Sequence, residues 1–99
     1  GMSVKIRWRY RAIHEAQEAY DWYEAQSRGT GERLIAELDE HIDFLLKHPT
    51  GYPKWRSIFR KVTLKHFPYR VIYRFEKDTV TVFNIFHGSL NLSQWGRLR

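Results

Sequence analysis

The chain has 99 residues, enough for one compact domain and too few for two, and 42% apolar with 28% charged residues excludes a disordered tail. It has no cysteine, which excludes a disulfide scaffold, a cysteine-ligated zinc site and a thiol nucleophile. The net charge of +6 is split: residues 1–43 carry six Lys/Arg against nine Asp/Glu, and residues 44–99 carry eleven against two. A positive field concentrated in the second half of the chain predicts an anionic or acidic partner.

In chain order, Ser3 to Trp8 alternates, with Val4, Ile6 and Trp8 on one side and Lys5 and Arg7 on the other, the pattern of a half-buried strand. From about Tyr10 to Ser27 the period changes. Ile13, Ala16, Tyr20 and Tyr23 step by three and four, flanked by Ala12, Ala19 and Trp22, while Glu15, Glu18, Asp21 and Glu24 fall mainly opposite, which predicts an amphipathic helix. Arg28-Gly29-Thr30-Gly31 breaks it, in a connection short enough only for a helical hairpin. A second helix is predicted from about Glu32 to Lys47, with Leu34, Leu38, Ile42 and Leu45 as its stripe. Pro49 and Thr50-Gly51-Tyr52-Pro53 end it and open a loop.

Beyond Trp55 the pattern is strand again. Ile58 to Phe67 alternates imperfectly and Pro68 interrupts it. Tyr69 to Glu76 and Thr79 to Phe86 then form two strands joined by a tight turn at Lys77-Asp78. The expected architecture is α+β in the order β-α-α-β-β-β, a helical hairpin packed on one face of a small, mainly antiparallel sheet, as one domain over residues 2–99. The partner of the first strand is not readable from the sequence. The apolar runs are too short for a membrane span and no signal-peptide pattern follows Met2, so a cytoplasmic protein with no membrane partner is expected.

The usual catalytic patterns are missing. Gly29-Thr30-Gly31 lacks the spacing and lysine of a phosphate loop. The five histidines, at 14, 41, 48, 66 and 87, include no metal-spaced set; His41 and His48 share a helix without a third ligand and read as surface histidines, and neither metal nor cofactor is expected. The helical acidic residues read as solvated faces. What remains is a sheet with interleaved cations: Lys54, Arg56, Arg60, Lys61, Lys65, Arg70 and Arg74. Alternation puts Tyr69, Val71, Tyr73 and Phe75 on the helix-facing side of their strand and Arg70, Ile72 and Arg74 on the other, where guanidinium groups suit phosphates or carboxylates. His87 ends the last strand, where a side chain can approach a substrate. The expected partner-contacting set is Lys54, Arg56, Arg60, Lys61, Arg70, Arg74 and His87.

The element order and several local strings resemble the RelE/ParE family of bacterial toxins from type II toxin–antitoxin (plasmid stabilization) systems. The anchors are Ala19-Tyr20-Asp21-Trp22-Tyr23, Pro49 with Tyr52-Pro53, Arg60, Leu64-Lys65-His66-Phe67-Pro68-Tyr69-Arg70-Val71-Ile72-Tyr73, and Val80 to His87. The Phe-Pro-Tyr-x-x-x-Tyr string, with an arginine eight residues before its proline and a histidine ending the next strand, is most similar to the ParE branch. The resemblance implies two activities on one fold. ParE-like members inhibit DNA gyrase by binding it; RelE-like members cut mRNA on the ribosome with Lys, Arg and Tyr side chains. Of the RelE-type positions, Lys61 and Arg70 match, while the others fall on Thr63, near Ser89 and near Trp95. Ser89-Leu90-Asn91 also replaces an arginine pair common in ParE-like chains. The resemblance therefore implies a gyrase-binding toxin neutralised by an acidic, partly disordered antitoxin segment in a hetero-oligomer. The alternatives are a ribosome-dependent endoribonuclease using Lys61, Arg70 and His87, or a non-toxic chain that still binds an antitoxin.

Overall fold

The computed structural model describes residues 3–88. Its elements are β1 (Lys5–Trp8), α1 (Tyr10–Gln26), α2 (Thr30–Lys47), β2 (Lys54–Arg56), β3 (Phe59–Thr63), β4 (Tyr69–Glu76) and β5 (Thr79–His87). Five strands form one sheet in the order β1-β5-β4-β3-β2, and the two helices cover one face. The expected helical hairpin on a mainly antiparallel sheet is what the chain forms. Only β1–β5 is parallel, with Ile6 opposite Val80 and Trp8 opposite Val82, since the helical hairpin carries the chain from the β1 edge of the sheet to the β2 edge, and the antiparallel run β2-β3-β4-β5 leads back to β1.

Two details depart from the sequence reading. A three-residue strand, β2, which the sequence reading did not separate, lies between the 50–53 loop and the strand expected from Ile58, pairing with β3 across a turn in which Ser57 has φ 48°. Its alternation is too short to register as a strand by pattern alone. The stripe of α1 is also offset. Ala12 and Ala19 are its buried residues, small enough for close approach to β5, whereas Ile13 is 53% exposed and lines a groove with Trp8, Tyr20 and Ile35.

The main core lies between helices and sheet: Leu34, Leu38, Ile42 and Leu45 of α2 meet Val62, Val71, Tyr73, Val80, Val82 and Ile85. Each fully buried aliphatic side chain there contributes roughly 1.5–3 kcal/mol. The helical hairpin is closed by chemistry at its turn. Gly29 takes φ 91°, and the Glu24 carboxylate accepts hydrogen bonds from the backbone N–H groups of Gly29, Gly31 and Glu32, serving the free donors at the start of α2 from the neighbouring helix. Those bonds hold the Glu24 carboxyl below its ordinary pKa. Gly31 sits so close to α1 that a Cβ would come 2.7 Å from the Tyr20 carbonyl oxygen. Gly31→Ala therefore forces the helices apart; we expect a loss of about 2 kcal/mol in urea unfolding.

The Lys77-Asp78 turn is observed where expected. Both residues have positive φ, 49° and 60°, the geometry of a type I′ hairpin, which favours Asn-Gly. The double substitution Lys77→Asn, Asp78→Gly should raise stability by about 1 kcal/mol, read as a higher urea midpoint at unchanged slope.

Candidate binding face of the sheet

Alternation in the strands assigns side chains to two faces. Val4, Ile6 and Trp8 pack toward the helices, which leaves Lys5 and Arg7 of β1 on the open face beside Thr79 and Thr81. In β3 and β4, Lys61 pairs with Ile72, Phe59 with Arg74 and Thr63 with Arg70, all on the open face. The centre of this face is not bare. Phe59, Ile72, Phe83 and Phe86 form a second buried apolar cluster, with Trp55 packed against it. β5 reaches this arrangement through a register shift at Phe83, where β4 passes from Ile72 opposite Asn84 to Tyr73 opposite Val82.

The cations stand on this aromatic floor. Arg9 and Arg74 each place a guanidinium carbon 5.1 Å from the Phe83 ring centre, Arg56 lies 4.5 Å from that of Trp55, and the Lys61 ammonium lies 6.0 Å from Trp55. Stacking orients the charges and leaves guanidinium edges to donate hydrogen bonds. Arg74 also meets Glu76 at 3.3 Å, the one ion pair among the described residues that engages a predicted site cation. Lys5, Arg7 and Arg9 were not among the site residues expected from sequence. Their signal was the β1 alternation itself, but only pairing with β5 brings the positive end of an otherwise acidic half onto this face.

Three predicted site residues lie elsewhere. Arg60 pairs with Tyr73 on the helix-facing side and donates to the Tyr52 carbonyl at 2.6 Å. It works with the buried Tyr73 hydroxyl, which donates to the Pro49 carbonyl at 3.0 Å, to hold the 49–53 loop. Burial pushes the Tyr73 phenol up to about 12. Lys54 pairs with Arg60 at the β2 edge. His87 pairs with Tyr69 and packs edge-on against its ring at 5.2 Å, in a groove against α1 and across the sheet from Lys61 and Arg70. Ser89 and Trp95, the remaining RelE-type positions, lie outside the described residues.

The acidic and histidine readings are corrected in two places. Glu37 is buried on α2 and accepts hydrogen bonds from the backbone N–H groups of Lys65 and His66 and from ring nitrogens of His41 and His66. Burial opposes its ionisation, but these donors outweigh it and hold the carboxyl at about 2. His41, read as a surface residue, is buried, with its Nε2 on Glu37 and its Nδ1 2.9 Å from the Tyr52 hydroxyl. Glu15 accepts from the Ile85 N–H at 2.8 Å and from Asn84, and burial raises its pKa against those bonds. Apart from the Glu37–His41 pair, one helical turn apart, these contacts are invisible in helical periodicity, because the other donors to Glu37 and Glu15 come from the turn before β4 and from β5, 28 to 70 residues away.

The chain thus places a two-helix layer on one face of a five-stranded sheet and cations on aromatic rings on the other. The chain belongs to the ParE toxin family of type II toxin–antitoxin systems: the family model for the ParE toxin of parDE matches residues 6–92. Solved structures agree on the fold. A chain of the chromosomal ParDE system from P. aeruginosa superposes with TM-score 0.75 at 17% identity, covering 86% of this chain and 96% of that one. The isolated E. coli RelE toxin superposes with TM-score 0.67 at 17% identity, covering 97% and 96%. An E. coli RelE mutant in complex with an antitoxin RelBc peptide gives 0.62 at 16% identity, covering 99% and 96%. No curated protein sequence matches the chain. No helix among the described residues is long and apolar enough to cross a membrane.

Proposed function

We propose that this chain is a toxin that inhibits DNA gyrase by binding it and that a cognate antitoxin neutralises it through an acidic, partly disordered segment. The observation that carries the reading is the composition of the open face. Lys5, Arg7, Arg9, Arg56, Lys61, Arg70 and Arg74 gather around an apolar floor, while His87, which the ribonuclease alternative would use beside Lys61 and Arg70, belongs to the opposite face. Cleavage of RNA requires a proton carrier within hydrogen-bond reach of the same phosphate that the cations hold. Binding requires only complementary charge and a surface to desolvate. The half-exposed groove along Ile13, Tyr20 and Ile35 supplies further apolar surface for an antitoxin segment that folds as it binds.

The test compares purified gyrase with programmed ribosomes. Inhibited supercoiling with intact mRNA is the expected result. Codon-phased mRNA cleavage that disappears in the Lys61→Ala, Arg70→Ala double variant would overturn it in favour of the ribonuclease. Antitoxin binding with neither effect would leave a non-toxic family member.

A further inference from the structure

On the side opposite the basic face, α1 and the ends of β4 and β5 enclose an open groove of about 610 Å³. That volume lies within the range of ligand pockets in general. Its wall is a run of rings set nearly at right angles: Trp22 to Tyr23 at 4.9 Å and 88°, Tyr23 to Tyr69 at 6.3 Å and 63°, and Tyr69 to His87 at 5.2 Å and 89°. Perpendicular neighbours offer π faces in more than one direction. The remaining polar lining is two carboxylates, Glu15 and Glu18, and among the described residues no lysine or arginine lines the groove, although the chain carries a net charge of +6.

Among the described residues the charged groups around these carboxylates are few. Arg11 acts on Glu15 along α1, and His14 meets Glu18 at 2.9 Å on the exposed helix surface. Burial chiefly raises the Tyr69 phenol, and Tyr23 and the Glu18 carboxylate add to the effect. Aromatic faces beside carboxylates attract a cation twice over, through the ring quadrupole and through charge. A planar guanidinium fits best, since it stacks on a ring while directing several N–H donors at a carboxylate. Trp22 at the rim is 57% exposed, so the groove is open to a side chain presented by another polypeptide.

We infer that this groove binds an arginine side chain of a partner polypeptide. The inference is independent of whether gyrase is the target, because it concerns the face that does not carry the cations.

The test titrates the full chain with a terminally blocked Gly-Arg-Gly peptide and follows the Trp22 indole N–H by two-dimensional NMR, assigned with Trp22→Phe. The expected result is a saturable shift with Kd of about 1 mM, the scale for one anchored side chain. The citrulline and lysine peptides, and the arginine peptide with Glu18→Gln, should each bind at least about fivefold more weakly. Glu18 is exposed on α1, so its variant keeps the fold, which an unchanged spectrum elsewhere verifies. Absence of saturation, equal binding of citrulline or lysine, or an unaltered affinity in Glu18→Gln would each overturn the inference.

Discussion

Glu37→Gln lowers the unfolding free energy by about 3 kcal/mol and the Tm by about 15 °C. The carboxylate takes hydrogen bonds from two backbone N–H groups and two imidazoles while almost wholly excluded from water. An amide has one acceptor oxygen and an NH2 that would face donors, so at least one buried N–H loses its partner. The effect is not confined to α2. Lys65 and His66 lie in the turn before β4, and His41 passes the network on to Tyr52, so one side chain ties α2 to two loops. Glu40→Gln, one turn further along α2 and exposed, should leave the urea midpoint in place.

The same group sets an acid limit. A carboxyl held at about 2 in the folded chain and near 4.5 when unfolded stabilises fully above pH 4.5, and its contribution is lost as pH falls toward 2. Glu15 acts in the opposite sense: its raised pKa costs stability at neutral pH, and acidification relieves that cost. Urea unfolding of the wild type should therefore weaken steeply below pH 4.5, and Glu37→Gln should show a much shallower slope there. A parallel slope in both proteins would assign acid sensitivity to other groups.

The second large effect is on binding. Lys61→Glu with Arg70→Glu should weaken association with the acidic antitoxin segment at least about tenfold at low salt, leaving thermal stability nearly unchanged. Both positions lie on the open face, where like charge now repels the partner and no core atom is removed. Wild-type affinity should fall as salt is added, while the double variant, having lost the complementary charge, should respond much less. Lys47→Ala, an exposed cation at the end of α2, is the control and should leave this affinity nearly unchanged. Fluorescence anisotropy of a labelled antitoxin peptide at two ionic strengths measures all three proteins; equal affinities would refute recognition led by the basic face.

Much of the architecture was written in local pattern. The period-two alternation of β1, β4 and β5, the 3.6-residue stripe of α2 and the turn residues at Gly29 and Lys77-Asp78 each act over a few neighbouring residues, so they are legible along the chain. The division of β4 into Tyr69/Val71/Tyr73/Phe75 and Arg70/Ile72/Arg74 follows from the same arithmetic. The family resemblance, carried by strings spread over most of the chain, agreed with the family match.

Tertiary structure decided what depended on residues distant in sequence. The parallel pairing of β1 with β5 delivered Lys5, Arg7 and Arg9 to a face that composition had assigned to the second half alone. The register of β3 turned Arg60 toward the helices, where two loop carbonyls claim it, and the end of β5 turned His87 away from the other cations. Glu37, His41 and Glu15 acquired their roles from donors on other elements, and a carboxylate's value as an acceptor depends on what folding places around it, not on its neighbours along the helix. Helical and strand periodicity specify which side of an element is apolar; which polar group meets which across the core is determined only when the layers close.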